Sequence, residues 1–194
     1  MRGAVSRASF VIAADSGADH ALALGVPIDL AVGDFDSISA DGLATLERVG
    51  VPLERHPADK EATDLELALD AAAMRGSNRV VVVGGTGGRL DHALGGLSLL
   101  ASDAYAGFEL DALFGRATVH VVRQERRLAG RTGELISLLA LHGPASGVVT
   151  KGLAYPLRGE TLVPGSTRGV SNVFARAEAR VALETGVLLA LRPG

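Results

Sequence analysis

Two aspartates stand one residue apart in Gly33-Asp34-Phe35-Asp36-Ser37. In an extended segment residues i and i+2 point the same way, so Asp34 and Asp36 would present two carboxylates to one metal while Phe35 turns back into the fold. A turn rich in Asp and Gly, with no ligand, also accounts for this pentapeptide. Other loops carry similar chemistry: Asp15-Ser16-Gly17-Ala18-Asp19, the acid-bearing run from His56 to Asp64, and Gly84-Gly85-Thr86-Gly87-Gly88-Arg89-Leu90-Asp91-His92. Gathered carboxylates repel and call for a compensating cation. A donor set of oxygens without sulfur suits Mg2+ better than zinc.

Thr63-Asp64-Leu65-Glu66 has a purely structural reading as a capping box, with Thr63 as N-cap, Glu66 three residues on and Asp64 in a first turn that favours an anion. A capped helix start is also a rigid mount for a metal-binding carboxylate, so both readings stand. The glycines of the 84–89 run allow backbone N–H groups to approach a phosphate at a helix start. The run matches neither a P-loop nor G-x-G-x-x-G. Arg89 adds a planar cation suited to phosphate, which Asp91 can orient. The five histidines have no metal-ligand spacing, and no G-x-S-x-G elbow is present.

These loops need a scaffold. Strands are expected at residues 10–14, 30–32, 51–55, 79–83, 109–113 and 118–122, with helices at 18–24, 40–48, 64–74 and 90–101. The helix at 64–74 carries Leu65, Ala68, Leu69 and Ala72 on one face. The helix at 90–101 carries Leu90, Ala93, Leu94, Leu97 and Ala101. The alternation predicts an α/β fold, with an N-terminal doubly wound, mostly parallel sheet. Ligands bind such sheets at the carboxyl ends of the strands, where these loops fall. The charged run Arg123-Gln124-Glu125-Arg126-Arg127 reads as a linker or exposed turn. Beyond it, strands at 134–140, 147–150, 170–175, 179–183 and 187–191 predict a smaller C-terminal all-β, sandwich-like domain. The expected domains are therefore 1–124 and 125–194.

Composition narrows the function. The chain has 194 residues and a net charge of −3, against the clustered basic residues that nucleic-acid binding needs. With no cysteine, thiolate zinc sites, Fe–S clusters, disulfides and cysteine nucleophiles are excluded. Mean hydropathy is +0.28, yet no apolar run approaches the roughly 20 residues of a membrane span. The apolar stretch at 10–14 is too short for a signal peptide and ends at Asp15. A cytoplasmic protein is expected. From the residues alone, the reading is a Mg2+-dependent enzyme acting on a phosphorylated ligand by phosphoryl or nucleotidyl transfer.

In order along the chain, Ala14-Asp15-Ser16-Gly17-Ala18, Gly33-Asp34-Phe35-Asp36-Ser37, Thr63-Asp64, Gly88-Arg89-Leu90-Asp91-His92, Lys151-Gly152-Leu153-Ala154-Tyr155-Pro156-Leu157 and Gly169-Val170-Ser171-Asn172 resemble the thiamine pyrophosphokinase family, in its bacterial form. The resemblance covers almost the whole chain. It implies transfer of a pyrophosphoryl group from ATP to the hydroxyl of thiamine, giving thiamine diphosphate and AMP. It implies Asp34, Asp36 and Asp64 as the Mg2+ and pyrophosphate-site carboxylates, with Arg89 and Asp91 on the same catalytic rim. Asp15, Gly17, Ser37, Thr63, Gly85 and Gly88 would surround ATP. Tyr155, Ser171 and Asn172 would hold thiamine. It also implies a homodimer with shared active sites.

The family pattern has a further strand and a Gly-containing loop ahead of the match at 10–15, where this sequence has nine residues before Phe10. Val173 stands where bacterial relatives often carry an acid, and Tyr155 where some carry tryptophan. A related diphosphokinase using another alcohol, such as a pterin, or a catalytically weak thiamine- or nucleotide-binding protein are the alternatives.

Overall fold

The computed structural model describes residues 7–84 and 89–194. The chain divides into two compact units, Met1–Asn78 and Arg79–Gly194. The class is as expected: helices flank a parallel sheet in the N-terminal part, and the C-terminal part is antiparallel and all-β.

In the first unit, β1 (Ile12–Ala14), β2 (Leu30–Gly33) and β3 (Leu53–Arg55) form a parallel sheet in sequence order. The helices are α1 (Gly17–Ala23), α2 (Ala40–Val49) and α3 (Asp64–Met74). One sheet face packs Ala13 and Ala31 with Ala18 of α1 and Leu46 of α2, and Phe35 and Ile38 close that cluster. The other face packs Leu30 and Val32 against Ala71 and Leu67 of α3. Helices thus cover both faces, as a parallel sheet requires. With β2 fully buried between them, its short Leu-Ala-Val-Gly run needs no polar alternation.

The helix ends follow local chemistry. Ser39 caps α2 by accepting from the Gly42 N–H at 3.0 Å, and Gly50 ends that helix in the left-handed conformation with φ 75°. Thr63 caps α3 by accepting from the Glu66 N–H at 3.3 Å. Leu69 and Ala72 of the expected α3 stripe are buried, but Ala71 is buried too.

The second unit begins with β4 (Arg79–Val83) and α4 (Leu90–Leu100). It continues with β5 (Glu109–Phe114), β6 (Ala117–Val122), β7 (Glu125–Ala129), β8 (Leu135–Leu139) and β9 (Ala145–Lys151). The last strands are β10 (Arg158–Leu162), β11 (Asn172–Val173), β12 (Glu178–Ala182) and β13 (Leu188–Arg192). One sheet runs β10-β9-β12-β7 and the other β11-β8-β13-β6-β5-β4. One aliphatic core draws Leu128, Val148, Leu162 and Val181 from the first sheet and Ile136, Leu138, Leu188 and Ala190 from the second, together with Phe174. That is the two-layer arrangement of a sandwich.

Several expectations need correcting. The run expected as a linker at 123–127 leads into a paired strand, β7. Its charges are met across the ladder, Glu125 by Arg180 at 2.6 Å and Arg127 by Glu178 at 3.3 Å, so it pairs with Leu128 as its one buried side chain. Strand β10 was not foreseen, because Arg158-Gly159-Glu160-Thr161-Leu162 buries Leu162 but lacks an apolar stripe. In α4, Leu90 and Leu94 of the expected inward face are 72% and 58% exposed, and Gly96 and Leu100 turn inward instead. The compact units part at 78/79, where β4 to β6 join the sheet that holds β13 and β8. Among the described residues no helix is long and apolar enough to cross a membrane.

Candidate active site

Parallel pairing in the first unit sets Ala14 beside Val32 and Gly33 beside Arg55. The residues just beyond these strand ends, Asp15, Asp34 and His56, therefore emerge on one edge. The edge is narrow because Gly33 sits there at φ 148°, where a Cβ would come 3.1 Å from Asp64 Oδ1 and 3.2 Å from Asp15 Cβ. Glycine serves both the backbone angle and the close approach. Asp15 and Phe35 also take positive φ, 44° and 61°, costly for side chains of that kind and typical of functional turns.

Asp15, Asp34 and Asp36 each offer a carboxylate oxygen, and these atoms lie within 4.8 Å of one another. The route differs from the extended geometry expected. Phe35 is buried and left-handed, so the chain turns there rather than running straight. Asp34 Oδ1 accepts from the Asp36 N–H at 3.2 Å, and Asp36 Oδ1 accepts from the Ser37 hydroxyl at 2.8 Å. Asp15 is 5% exposed, and its Oδ1 finds no hydrogen-bond partner among the described residues. A buried, unpartnered carboxylate oxygen is costly unless a cation completes it. Hard oxygen donors converging on such an atom fit Mg2+.

Asp64, in the first turn of α3, faces the same centre. Its Oδ1 is buried without a hydrogen-bonded donor, but Lys60 Nζ stands 3.0 Å away as an ion pair. The same ammonium donates to Asp34 Oδ2 at 2.7 Å. That hydrogen bond holds the Asp34 carboxyl below the usual carboxylate range and raises the Lys60 ammonium above its usual value. Lys60 was not named as a site residue from the sequence. Its signal is the i,i+4 spacing to Asp64 across the start of a helix.

Asp19 plays a structural part. Its Oδ2 accepts from the Ser39 N–H and its Oδ1 from the Ser39 hydroxyl, both at 2.7 Å, which fixes the residue that caps α2. The Ser39 side-chain hydrogen bond is the main reason the Asp19 carboxyl lies below its ordinary value. Gly17 opens α1, and Thr63 spends its hydroxyl on the α3 cap.

The second unit holds the other expected residues. Arg89 meets Asp91 through two parallel contacts, Nε to Oδ1 at 3.2 Å and Nη2 to Oδ2 at 2.6 Å. Arg89 brings the Asp91 carboxyl down to about 2. Gly85 and Gly88 lie outside the described residues. Tyr155, Ser171 and Asn172 come together where Ala154 N–H bonds to Val173 O at 2.8 Å. Asn172 is buried and bonds to the Tyr155 backbone, while the Tyr155 side chain is exposed. Ser171 takes φ 59°, and its N–H donates to the Ser137 hydroxyl at 3.1 Å.

The family model described as "Thiamin pyrophosphokinase, catalytic domain" matches residues 1–110. The model described as "Thiamin pyrophosphokinase, vitamin B1 binding domain" matches residues 117–188. A relative from Bacillus subtilis (strain 168), named thiamine pyrophosphokinase, is 27% identical over 190 residues, covering 93% of this chain and 86% of the relative. The crystal structure of thiamine pyrophosphokinase from Bacillus subtilis superposes with a TM-score of 0.83 at 26% identity, over 94% of this chain and 86% of that one. A thiamin pyrophosphokinase family protein from Enterococcus faecalis shares the fold, with a TM-score of 0.82 at 24% identity over 97% and 90% of the two chains.

Proposed function

Because the chain belongs to the thiamin pyrophosphokinase family, we propose that its acidic strand-end centre is where ATP gives up a pyrophosphoryl group to the hydroxyl of thiamine. The activity is that of a thiamine diphosphokinase, which converts ATP and thiamine to AMP and thiamine diphosphate. The vitamin B1 binding model over 117–188 favours thiamine over the other alcohols, and over a binding role without turnover.

The observation that carries the site is the convergence of Asp15, Asp34 and Asp36, with a buried Asp15 oxygen left for a cation. In the reaction the thiamine hydroxyl oxygen bonds to the β-phosphorus and gives up its proton, while the bond from that phosphorus to the α–β bridging oxygen breaks and AMP leaves with that oxygen. Such transfer asks little covalent help of a protein; positioning and charge stabilisation dominate. Asp15, Asp34, Asp36 and Asp64 would hold Mg2+, which supplies positive charge to the phosphate oxygens when bound. Gly17, Ser37 and Thr63 belong to the same strand-end and helix-start segments and line the nucleotide side. Arg89, oriented by Asp91, offers a planar cation to phosphate.

Residues 1–124 serve ATP and pyrophosphate in this reading, and 125–194 serve thiamine. Tyr155 offers its ring face to the permanently cationic thiazolium, a cation–π contact, and Ser171 and Asn172 complete that pocket. The protein works as a cytoplasmic homodimer.

A coupled AMP assay with ATP and thiamine, with thiamine diphosphate identified by mass, tests the reading. Both products form together, and only with Mg2+. AMP without thiamine diphosphate, or product that survives chelation of Mg2+, would contradict it.

A further inference from the structure

Lys60 stands among carboxylates assigned to metal. Its side chain is only 12% exposed, and its ammonium touches both Asp34 and Asp64. Asp34 then has both oxygens engaged, Oδ2 by Lys60 and Oδ1 by the Asp36 N–H. A cation arriving alone must therefore displace the ammonium from Asp34 or sit beside it, and like charges at that distance repel strongly. A cation arriving with a polyphosphate meets a different balance, because the phosphate oxygens offer the displaced ammonium new acceptors.

Lysine suits this exchange. Its charge sits on a flexible four-carbon stem with three donors, whereas the rigid fork of arginine is harder to redirect. Asp15, Asp34, Asp36 and Asp64 carry four negative charges when ionised, and Lys60 offsets one of them.

We propose that Lys60 is a removable internal countercharge: it holds Asp34 and Asp64 while nucleotide is absent and passes to the phosphates when metal and nucleotide load together. Lys60 is thus a positioning residue that sets the order of loading. The inference rests on the acidic centre being the metal–nucleotide site.

Mn2+ is the probe, titrated by electron paramagnetic resonance into the full chain without nucleotide. Lys60→Met and Lys60→Gln bind Mn2+ at least about tenfold more tightly than the unaltered protein, the scale set by one neighbouring charge. Lys60→Arg, which keeps the charge, shows no such gain. A non-hydrolysable ATP analogue then tightens Mn2+ binding less in Lys60→Met than in the unaltered protein, since linkage is reciprocal. In turnover, KM for ATP rises in Lys60→Met while KM for thiamine does not.

Folded Met and Gln variants that bind Mn2+ no more tightly than the unaltered protein overturn the proposal. So does loss of the fold in both, since Lys60 would then be a structural ion pair. The titration needs no turnover, so this failure is separable from failure of the site reading, in which no form binds Mn2+ even with the analogue present.

Discussion

Asn172 grips both backbone polar groups of Tyr155, accepting from its N–H at 3.0 Å on Oδ1 and donating to its carbonyl at 2.7 Å from Nδ2. The amide is 4% exposed and the tyrosine 61%. A buried side chain thus fixes the backbone of a residue whose ring stays available. Asn172 Oδ1 also accepts from the Val173 N–H at 2.8 Å, so one amide organises the whole turn. Asn172→Ala removes three hydrogen bonds to part-buried backbone groups and destabilises the protein by about 1 kcal/mol or more. KM for thiamine rises more than KM for ATP. Unchanged thiamine kinetics in the folded variant would remove Asn172 and Tyr155 from the thiamine pocket.

Asp34→Asn and Asp36→Asn each lower kcat by about 10²-fold or more, the loss associated with a key charge-stabilising group. Asp36→Asn keeps the side-chain shape, so its thermal melting stays close to that of the unaltered protein, whereas Asp34→Asn also loses its ion pair with Lys60 and melts lower at neutral pH. An Asp36→Asn enzyme with undiminished turnover would refute its role as a metal ligand.

Gly33→Ala tests the narrowness of the centre. The new Cβ meets Asp64 Oδ1 at 3.1 Å and Asp15 Cβ at 3.2 Å, at a φ of 148°. The strain costs about 1–3 kcal/mol, and the displaced carboxylates lower activity beyond what the stability loss explains. Melting temperature and kcat measured together check this, and a variant equal to the parent in both would contradict the geometry.

Asp19→Asn addresses pH. The folded Asp19 carboxyl is depressed below its ordinary value of 3.8. A depressed acid contributes stability that is fully present above the unfolded pKa and is lost as pH falls through the folded one. The variant therefore melts below the unaltered protein at neutral pH, and the gap closes as pH drops below about 3.8. A gap independent of pH would show that shape, rather than charge, secures Ser39 and the start of α2.

Much of the fold was legible because its elements obey local rules. The start of α3 at Asp64 follows from Thr63 and Glu66, and the strand at Arg79–Val83 follows from an unbroken valine run. Strand β7 was hidden because its pairing relies on Glu125 and Arg127 meeting partners more than 50 residues away. Its own residues show no apolar period. Asp19 carries no local sign of its role, since Ser39 is its partner only once α1 and α2 pack on the same sheet face.

By itself the sequence determined which residue types stand after each early strand, where the helices start, and the family to which their order belongs. Those properties depend on neighbours a few positions away, through capping, periodicity and turn chemistry. Only tertiary structure decided that Asp15, Asp34 and Asp36 share one centre, that a left-handed Phe35 turns the loop, and that Lys60 lies between Asp34 and Asp64. Parallel strand pairing brings those residues together across long stretches of chain, and the charge balance they create exists only at ångström separations.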